Sequence, residues 1–199
     1  LAYLFRPCLY VAFYEAKKFR PLRGLSLHGQ SIGKSGQYSR MQAAGFEVIP
    51  WQRIVDGKKY EAKDWGSLAI IKPDRGREGR GVRLIKPEDI HYQRECGSGE
   101  NLLIQRFVDT GNEPCYFRAL TLLGELLYLR KTTNSADKAN DAMIDGLPNP
   151  VANASHGTSE LLVDGEVVEY AKRMAVKAFP EIPLLGQGIV RDRTTGRLY

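Results

Sequence analysis

The amino-acid sequence predicts an α+β fold. Short apolar or alternating runs separated by turns recur through the middle of the chain and favour antiparallel strands. One long amphipathic pattern further along the chain predicts a packing helix. The chain has 199 residues, of which 43% are hydrophobic and 26% charged, close to the average of globular proteins. This length is enough for one large domain or two small ones.

The first third of the chain predicts one short helix and one strand. Residues 35–44 have a helical pattern, with Ser35 placed to cap the start and Gly45 placed to end the helix in a left-handed turn. Phe46–Ile49 is an apolar run stopped by a proline and predicts a strand. Residues 53–66 are polar, and we expect a loop there.

A glycine-rich hairpin comes next. Ala69–Pro73 is a short apolar run that carries Lys72 near its end, and Val82–Ile85 alternates and returns as a second strand. The loop between them contains Gly76, Gly79 and Gly81. These glycines let the backbone approach a ligand and present N–H groups to an anion. The stretch from Lys72 to Lys86 carries a local charge of +4. We therefore expect a phosphate-handling site, most simply for a nucleotide.

The remaining sequence predicts further strands, a short helix opened by Pro87 and one long helix over residues 164–179. Gly124-Glu125 marks a tight hairpin between two of the strands. Residues 133–160 are polar, and a loop of that length is usually functional or mobile. The predicted strands are Asn101–Val108, Cys115–Leu123, Glu125–Thr132 and Gly188–Arg191, followed by a turn at Arg193–Gly196 and a return strand.

Composition argues against several classes of protein. The three cysteines form no C-x-x-C pair, so neither a disulfide framework nor a zinc site is expected, and reduced thiols fit a cytoplasmic protein. The apolar segment Leu1–Phe13 is too short to span a membrane. The net charge is +6, but no block of five Lys or Arg residues occurs, which disfavours nucleic acid as a partner. The three histidines are scattered without metal-ligand spacing.

Two phosphate-binding motifs are excluded by residue order. Gly29–Ser35 is one residue too short for a P-loop and has His28 where the first glycine is required. A protein kinase has its glycine loop before the lysine strand, whereas here the lysine comes first. The site is therefore predicted from Lys72 as a point charge, from the glycine loop, and from Gln105, which can offer its side chain to an adenine beside Phe107 and Val108.

The order of these motifs resembles the ATP-grasp superfamily. The resemblance runs from about Lys34 to Tyr199, and its motifs are Ile71-Lys72-Pro73, the glycine loop, Leu103–Val108, Tyr116-Phe117-Arg118 and Leu129-Arg130. The superfamily includes D-alanine–D-alanine ligase, glutathione synthetase and the ribosomal-protein glutamate ligases. The fold that it implies is two α/β subdomains with antiparallel sheets clamping a nucleotide. The implied boundaries are an N-terminal segment over residues 1–50, a small subdomain over 51–110 and a large one over 111–199.

The resemblance implies roles for individual residues. Lys34 and Lys72 are implied as the two phosphate-binding lysines, with the loop glycines above the phosphates. Gln105 is implied to hold the adenine amino group, and Val108 to offer a backbone N–H to the ring. The ribose-binding position falls at Asn112 or Glu113. Arg118 and Arg130 are implied to steady the acyl phosphate or the γ-phosphate, where charge accumulates during phosphoryl transfer.

The sequence departs from the family pattern at the metal site. Gly188 stands where the family has an acid, and Asp192, which lies four residues further on in a turn, is left as the candidate metal ligand. The Glu-x-Asn metal motif is implied just after Tyr199. Because the chain starts with Leu1 and stops there, we expect it to be part of a longer protein.

Two functions stay open at this point. The first is an ATP- and Mg²⁺-dependent ligase that activates a small-molecule or peptide carboxylate as an acyl phosphate and transfers it to an amine. The alternative is a non-catalytic ATP-binding module related to the ligases. A homo-oligomer is compatible with either function, whereas a membrane partner is not expected.

Overall fold

The computed structural model describes residues 8–13, 24–29, 32–76, 81–92, 101–133, 143–144, 147–148 and 157–199. The strands are β1 (Cys8–Ala12), β2 (Gly24–His28), β3 (Trp51–Arg53), β4 (Ala69–Pro73), β5 (Arg83–Ile85), β6 (Leu102–Arg106), β7 (Cys115–Leu122), β8 (Glu125–Thr133), β9 (Met143–Ile144), β10 (Leu147–Pro148), β11 (Thr158–Leu161) and β12 (Leu184–Ile189). The helices are α1 (Lys34–Ala43), α2 (Ala62–Trp65), the 3₁₀ turn Pro87–Asp89 and α3 (Gly165–Ala178). No helix of the described part is long and apolar enough to cross a membrane.

Two four-stranded antiparallel sheets organise the fold. The first has the order β3-β6-β4-β5 and carries Lys72, and we call it the lysine sheet. The second has the order β11-β8-β7-β12 and carries Arg118 and Arg130, and we call it the arginine sheet. Strands β1 and β2 form a separate parallel pair, and β9 pairs with β10. Helices together with two antiparallel sheets confirm the predicted α+β class.

Each sheet buries one face in its own apolar cluster. In the lysine sheet, Ile71 and Ile104 pack with Tyr60 and Trp65 from the segment that contains α2. Residues 53–66 were expected to be a loop, but the two aromatic side chains drive a short helical turn onto the sheet. In the arginine sheet, alternate residues face α3, whose periodic stripe packs as predicted. This stripe comprises Val167, Tyr170, Ala171, Met174, Ala175 and Ala178.

Helix α1 differs from its prediction at the start. The N-cap residue is Gly33, which has no side chain to cap with, and Ser35 lies inside the helix, where it bonds to Asp74. Gly45 adopts a left-handed φ of 80°, as predicted. Phe46–Ile49 is not a strand, because Phe46 turns into the cluster beneath α3 and pairing begins only at Trp51.

Other boundaries shift by a few residues. The β7–β8 turn consists of Leu123 and Gly124, both with positive φ, which is the geometry of a tight hairpin. Strand β12 begins at Leu184 rather than Gly188, since its pairing with β7 starts opposite Leu122. The predicted return strand is reduced to a single bridge between Arg191 and Leu198. Most of the predicted 133–160 loop lies outside the described residues.

Candidate functional site

A cleft of about 650 Å³ lies between the two sheets and is closed on one side by α1. This volume is within the range of small-molecule sites, about 300–1,000 Å³. Five of the predicted site residues line it, namely Lys34, Lys72, Gln105, Val108 and Arg118. The cleft therefore brings together residues that are up to 84 positions apart in the sequence.

Lys72 points from β4 into the cleft, on the sheet face opposite the apolar cluster that contains Ile71. Its Nζ donates a hydrogen bond to Gln105 Oε1 and lies 5.1 Å from the centroid of the Tyr38 ring. Burial, together with the smaller effect of the nearby charge of Lys34, lowers the pKa of the Lys72 ammonium to about 7. Near neutral pH this lysine is therefore poised between its charged and neutral forms.

Lys34 is the first residue of α1 and turns its ammonium toward the start of the glycine loop. Its Nζ donates to the carbonyl oxygens of Pro73 at 2.7 Å and Gly76 at 3.1 Å. Burial lowers the pKa of Lys34, and the charge of Asp74 partly offsets that effect. The ammonium thus spans the corner where β4 gives way to the loop.

Gln105 and Tyr38 form the wall behind Lys72. Gln105 is only 4% exposed, and its side chain is hydrogen-bonded to both Lys72 and Tyr38. Burial raises the pKa of the Tyr38 hydroxyl, although the Gln105 hydrogen bond opposes that rise. Tyr38 was not predicted as a site residue. The signal that could have found it is its spacing of four residues from Lys34, which places both side chains on one face once the helix begins at Lys34.

The two predicted arginines are cross-strand partners, since Arg118 on β7 pairs with Arg130 on β8. Arg118 lines the cleft and lies against β12, where a Cβ at Gly186 would come within 2.7 Å of Arg118 Nη2 and one at Gly188 within 3.9 Å of Nη1. Arg130 is not part of the lining, and its Nε is buried without a hydrogen-bond partner among the described residues. Gly186 therefore makes room for Arg118, whereas a side chain at Gly188 would make only an ordinary contact with it.

The glycine loop is described only at its two ends. The Gly76 carbonyl accepts from Lys34, and Gly81 has a φ of 71° with Pro73 Cγ 2.9 Å from where its Cβ would be. Gly81 therefore satisfies both reasons for a glycine, a left-handed φ and a close approach. Gly79 lies outside the described residues.

The predicted ribose and metal residues are less well placed. Glu113 is exposed and outside the cleft lining, and the Asn112 side chain accepts a hydrogen bond from Arg193 at 2.7 Å. The Asp192 carboxylate accepts the backbone N–H groups of Thr194 and Thr195, each at 2.8 Å. These hydrogen bonds, that of Thr195 above all, lower the pKa of Asp192. Asp192 thus holds a turn, and no group of three metal-ligating side chains occurs in the described part of the chain.

Comparison with known proteins identifies relatives of the fold. The chain is 25% identical over 182 residues to biotin carboxylase of Nostoc sp. (strain PCC 7120), an alignment that covers 83% of this chain and 38% of the carboxylase. No protein-family model matches the sequence.

Solved structures resemble the chain at low sequence identity. D-cycloserine synthetase DcsG superposes with a TM-score of 0.60 at 17% identity, covering 84% of this chain and 59% of that protein. The ATP complex of D-alanine–D-alanine ligase from Bacillus anthracis superposes with a TM-score of 0.56 at 13% identity, covering 84% of this chain and 52% of the ligase. ATP-grasp ligase PsnB, in complex with Mg, ADP and a phosphomimetic precursor variant, superposes with a TM-score of 0.53 at 14% identity. This match covers 84% of this chain and 48% of PsnB. The chain spans about half the length of these structures.

Proposed function

The chain has the ATP-grasp fold, and from that premise we propose that it is the nucleotide-binding part of an ATP-dependent ligase. The observation that carries the proposal is the cleft between the two sheets, in which Lys34, Lys72 and Arg118 supply three cationic groups around one cavity. A nucleoside triphosphate is the ligand class that matches several converging cations beside a buried amide. Gln105 and Val108 occupy the same cavity and are our candidates for contact with the base.

The residues of the cleft suggest how binding proceeds. A phosphate near Lys72 favours its charged form and so offsets the cost of burying the ammonium. Lys34 already donates to the carbonyl oxygens of Pro73 and Gly76, so a phosphate oxygen would exchange with those acceptors. Arg118 offers a planar guanidinium on the opposite sheet, suited to charge that builds up on a transferring phosphoryl group. Arg130, paired with Arg118 on the neighbouring strand, would add to this positive field.

The chemistry that we propose is activation of a carboxylate. A carboxylate oxygen attacks the γ-phosphorus while the bond to ADP breaks, and an amine nitrogen then attacks the acyl carbon while inorganic phosphate leaves. The PsnB complexes contain a precursor peptide and the Bacillus anthracis enzyme joins D-alanine units, so small-molecule and peptide carboxylates are both candidate substrates. Magnesium is implied by the resemblance, but the described residues do not form a site for it, and we assign no step to it. Glu113, Gly79, the three subdomain boundaries and the cytoplasmic setting stay predictions.

Binding and turnover test the two candidate functions separately. The melting temperature of the chain, measured with and without millimolar ATP, is expected to rise, because a ligand that binds only the folded state at 100 times its Kd adds about 2.7 kcal/mol of stability. ADP release in the presence of carboxylate and amine panels is expected for the ligase. ATP binding without ADP release favours the alternative, a non-catalytic ATP-binding module. No rise in melting temperature contradicts both.

A further inference from the structure

The start of α1 is tied to the end of β4 by a buried carboxylate. Asp74 is 8% exposed and follows β4 directly. Its Oδ1 accepts the Ser35 backbone N–H at 2.7 Å, and its Oδ2 accepts the Ser35 hydroxyl at 2.9 Å. The Arg53 guanidinium lies near this carboxylate, with Nη2 4.0 Å from Oδ2. The carboxylate therefore satisfies a backbone N–H at the helix start that the helix itself leaves unpaired, and it accepts a side-chain donor as well.

Backbone hydrogen bonds also connect the start of α1 to the end of β4. The Lys34 N–H donates to the Asp74 carbonyl oxygen at 2.9 Å, while the Lys34 ammonium donates to Pro73 and Gly76. Gly33 is required for this approach, because a Cβ there would lie 2.7 Å from Asp74 Oδ1. We call this arrangement of Gly33, Lys34, Ser35 and Asp74 the helix latch.

The helix latch explains the Gly-Lys-Ser sequence that falls short of a P-loop. In a P-loop the backbone donors at a helix start hold a phosphate from the ligand. Here the carboxylate of Asp74 takes the place of such an anion, favoured by the positive end of the ten-residue helix. The chain thus supplies its own anion at the helix start, while the Lys34 ammonium donates to the carbonyl oxygen of Gly76 at the start of the loop.

Resting on the proposed function, we propose that Asp74 is a positioning residue that acts through Lys34. By fixing Ser35 against β4, its carboxylate holds the Lys34 ammonium beside the glycine loop and on the same cleft as Lys72. Asp74 itself does not line that cleft. Removal of the carboxylate should therefore weaken ATP binding only as far as Lys34 contributes to it.

The first experiment tests the helix latch without any nucleotide. Amide hydrogen exchange at Ser35 and labelling of Lys34 by an amine-reactive reagent are measured in the wild type, Asp74→Ala and Ser35→Ala. Asp56→Ala, which removes an exposed carboxylate, is the matched control. We expect faster exchange and stronger labelling in Asp74→Ala, a smaller change in Ser35→Ala and none in the control. Unchanged labelling of Lys34 in a folded Asp74→Ala variant overturns the proposal, whether or not ATP binds.

The second experiment measures the ATP dissociation constant for Asp74→Ala, Lys34→Ala and the double variant. We expect each single variant to bind about tenfold more weakly, as for loss of one charge-assisted hydrogen bond, and the double variant to bind no more weakly than Lys34→Ala. Strictly additive losses would contradict action through Lys34. Should the wild type fail to bind ATP, the proposed function fails, while the labelling result still decides the helix latch. If Asp74→Ala does not fold, Asp74→Asn keeps one acceptor and serves in its place.

Discussion

The two sheets present cations to the same cleft by different physical means. On the lysine sheet, Lys72 is enclosed by Gln105 of the same sheet and by Tyr38 of α1, and burial of its ammonium lowers its pKa to about 7. The arginine sheet leaves space beside Arg118 by having glycine at position 186. A guanidinium keeps its charge in such a place, whereas a buried ammonium becomes sensitive to pH. The lysine sheet should therefore supply the pH dependence of binding, and the arginine sheet a constant positive charge.

The largest effect, on the free energy of unfolding, is expected for the face of the arginine sheet that packs against α3. Leu129 is 2% exposed in the cluster under α3, on the face away from the cleft. Leu129→Ala should lower the free energy of unfolding by about 2–5 kcal/mol, through lost burial and the cavity that remains. Denaturant titration measures this loss, and ATP affinity at a temperature where the variant is folded should not change. A large change in affinity would show that the two faces of the sheet are not separate in function.

The second-largest effect is expected on ATP affinity when Lys72 is replaced. Lys72→Met should weaken ATP binding by about 1.5–3 kcal/mol, or roughly 10- to 150-fold, the range for a hydrogen bond to a charged group. The same change should leave the free energy of unfolding equal or higher, because a partly desolvated ammonium is replaced by an apolar side chain of similar length. Calorimetry and denaturant titration report the two quantities. Loss of stability together with affinity would mean that Lys72 is mainly structural.

The lowered pKa of Lys72 predicts opposite pH trends for stability and binding. Between pH 7 and about 10 the unfolded chain holds this proton and the folded chain does not, so the free energy of unfolding should rise with pH. ATP binding favours the protonated form, so affinity should fall over the same interval, by at most about tenfold per pH unit. Lys72→Met is the control, and both trends should be weaker in it. Parallel trends in the variant and the wild type would assign them to other groups.

The smallest effect on activity is expected from a substitution at Gly186, which leaves space for Arg118. Gly186→Ala places a methyl group against Arg118 Nη2, and the guanidinium can move only away from its present position. We expect ATP turnover to fall by about 1 kcal/mol, or roughly fivefold, as for one imperfect hydrogen bond. Stability should not fall, because alanine reduces the freedom of the unfolded chain. An unchanged turnover number would mean that Arg118 does not need this geometry.

The sequence predicted those parts of the fold that depend on local pattern. Residues 164–179 repeat their apolar positions at helical spacing, and the helix was found at Gly165–Ala178. The predicted strand at Phe46–Ile49 was wrong. An apolar run indicates that side chains are buried, but it does not show whether the backbone pairs with a neighbouring strand. Pairing of Trp51 with Gln105 is a long-range choice that a local pattern cannot reveal.

The sequence predicted residues that line the cleft, but not the residues that hold Lys34 in place. Lys72 could be proposed because it lies near the end of an apolar run, and Lys34 because it follows a glycine. Both features can be read directly from the sequence. Asp74 and Ser35 could not, since their hydrogen bonds join positions 39 residues apart in the sequence. The space that Gly186 leaves for Arg118 depends in the same way on the pairing of β12 with β7.

The central claim is that the cleft binds ATP through Lys72, and calorimetric titration of ATP into the wild type and Lys72→Met at pH 7 tests it most directly. We predict saturable binding to the wild type and at least about tenfold weaker binding to a folded variant. Absence of binding to the wild type, or equal affinity in the two proteins, would contradict the account.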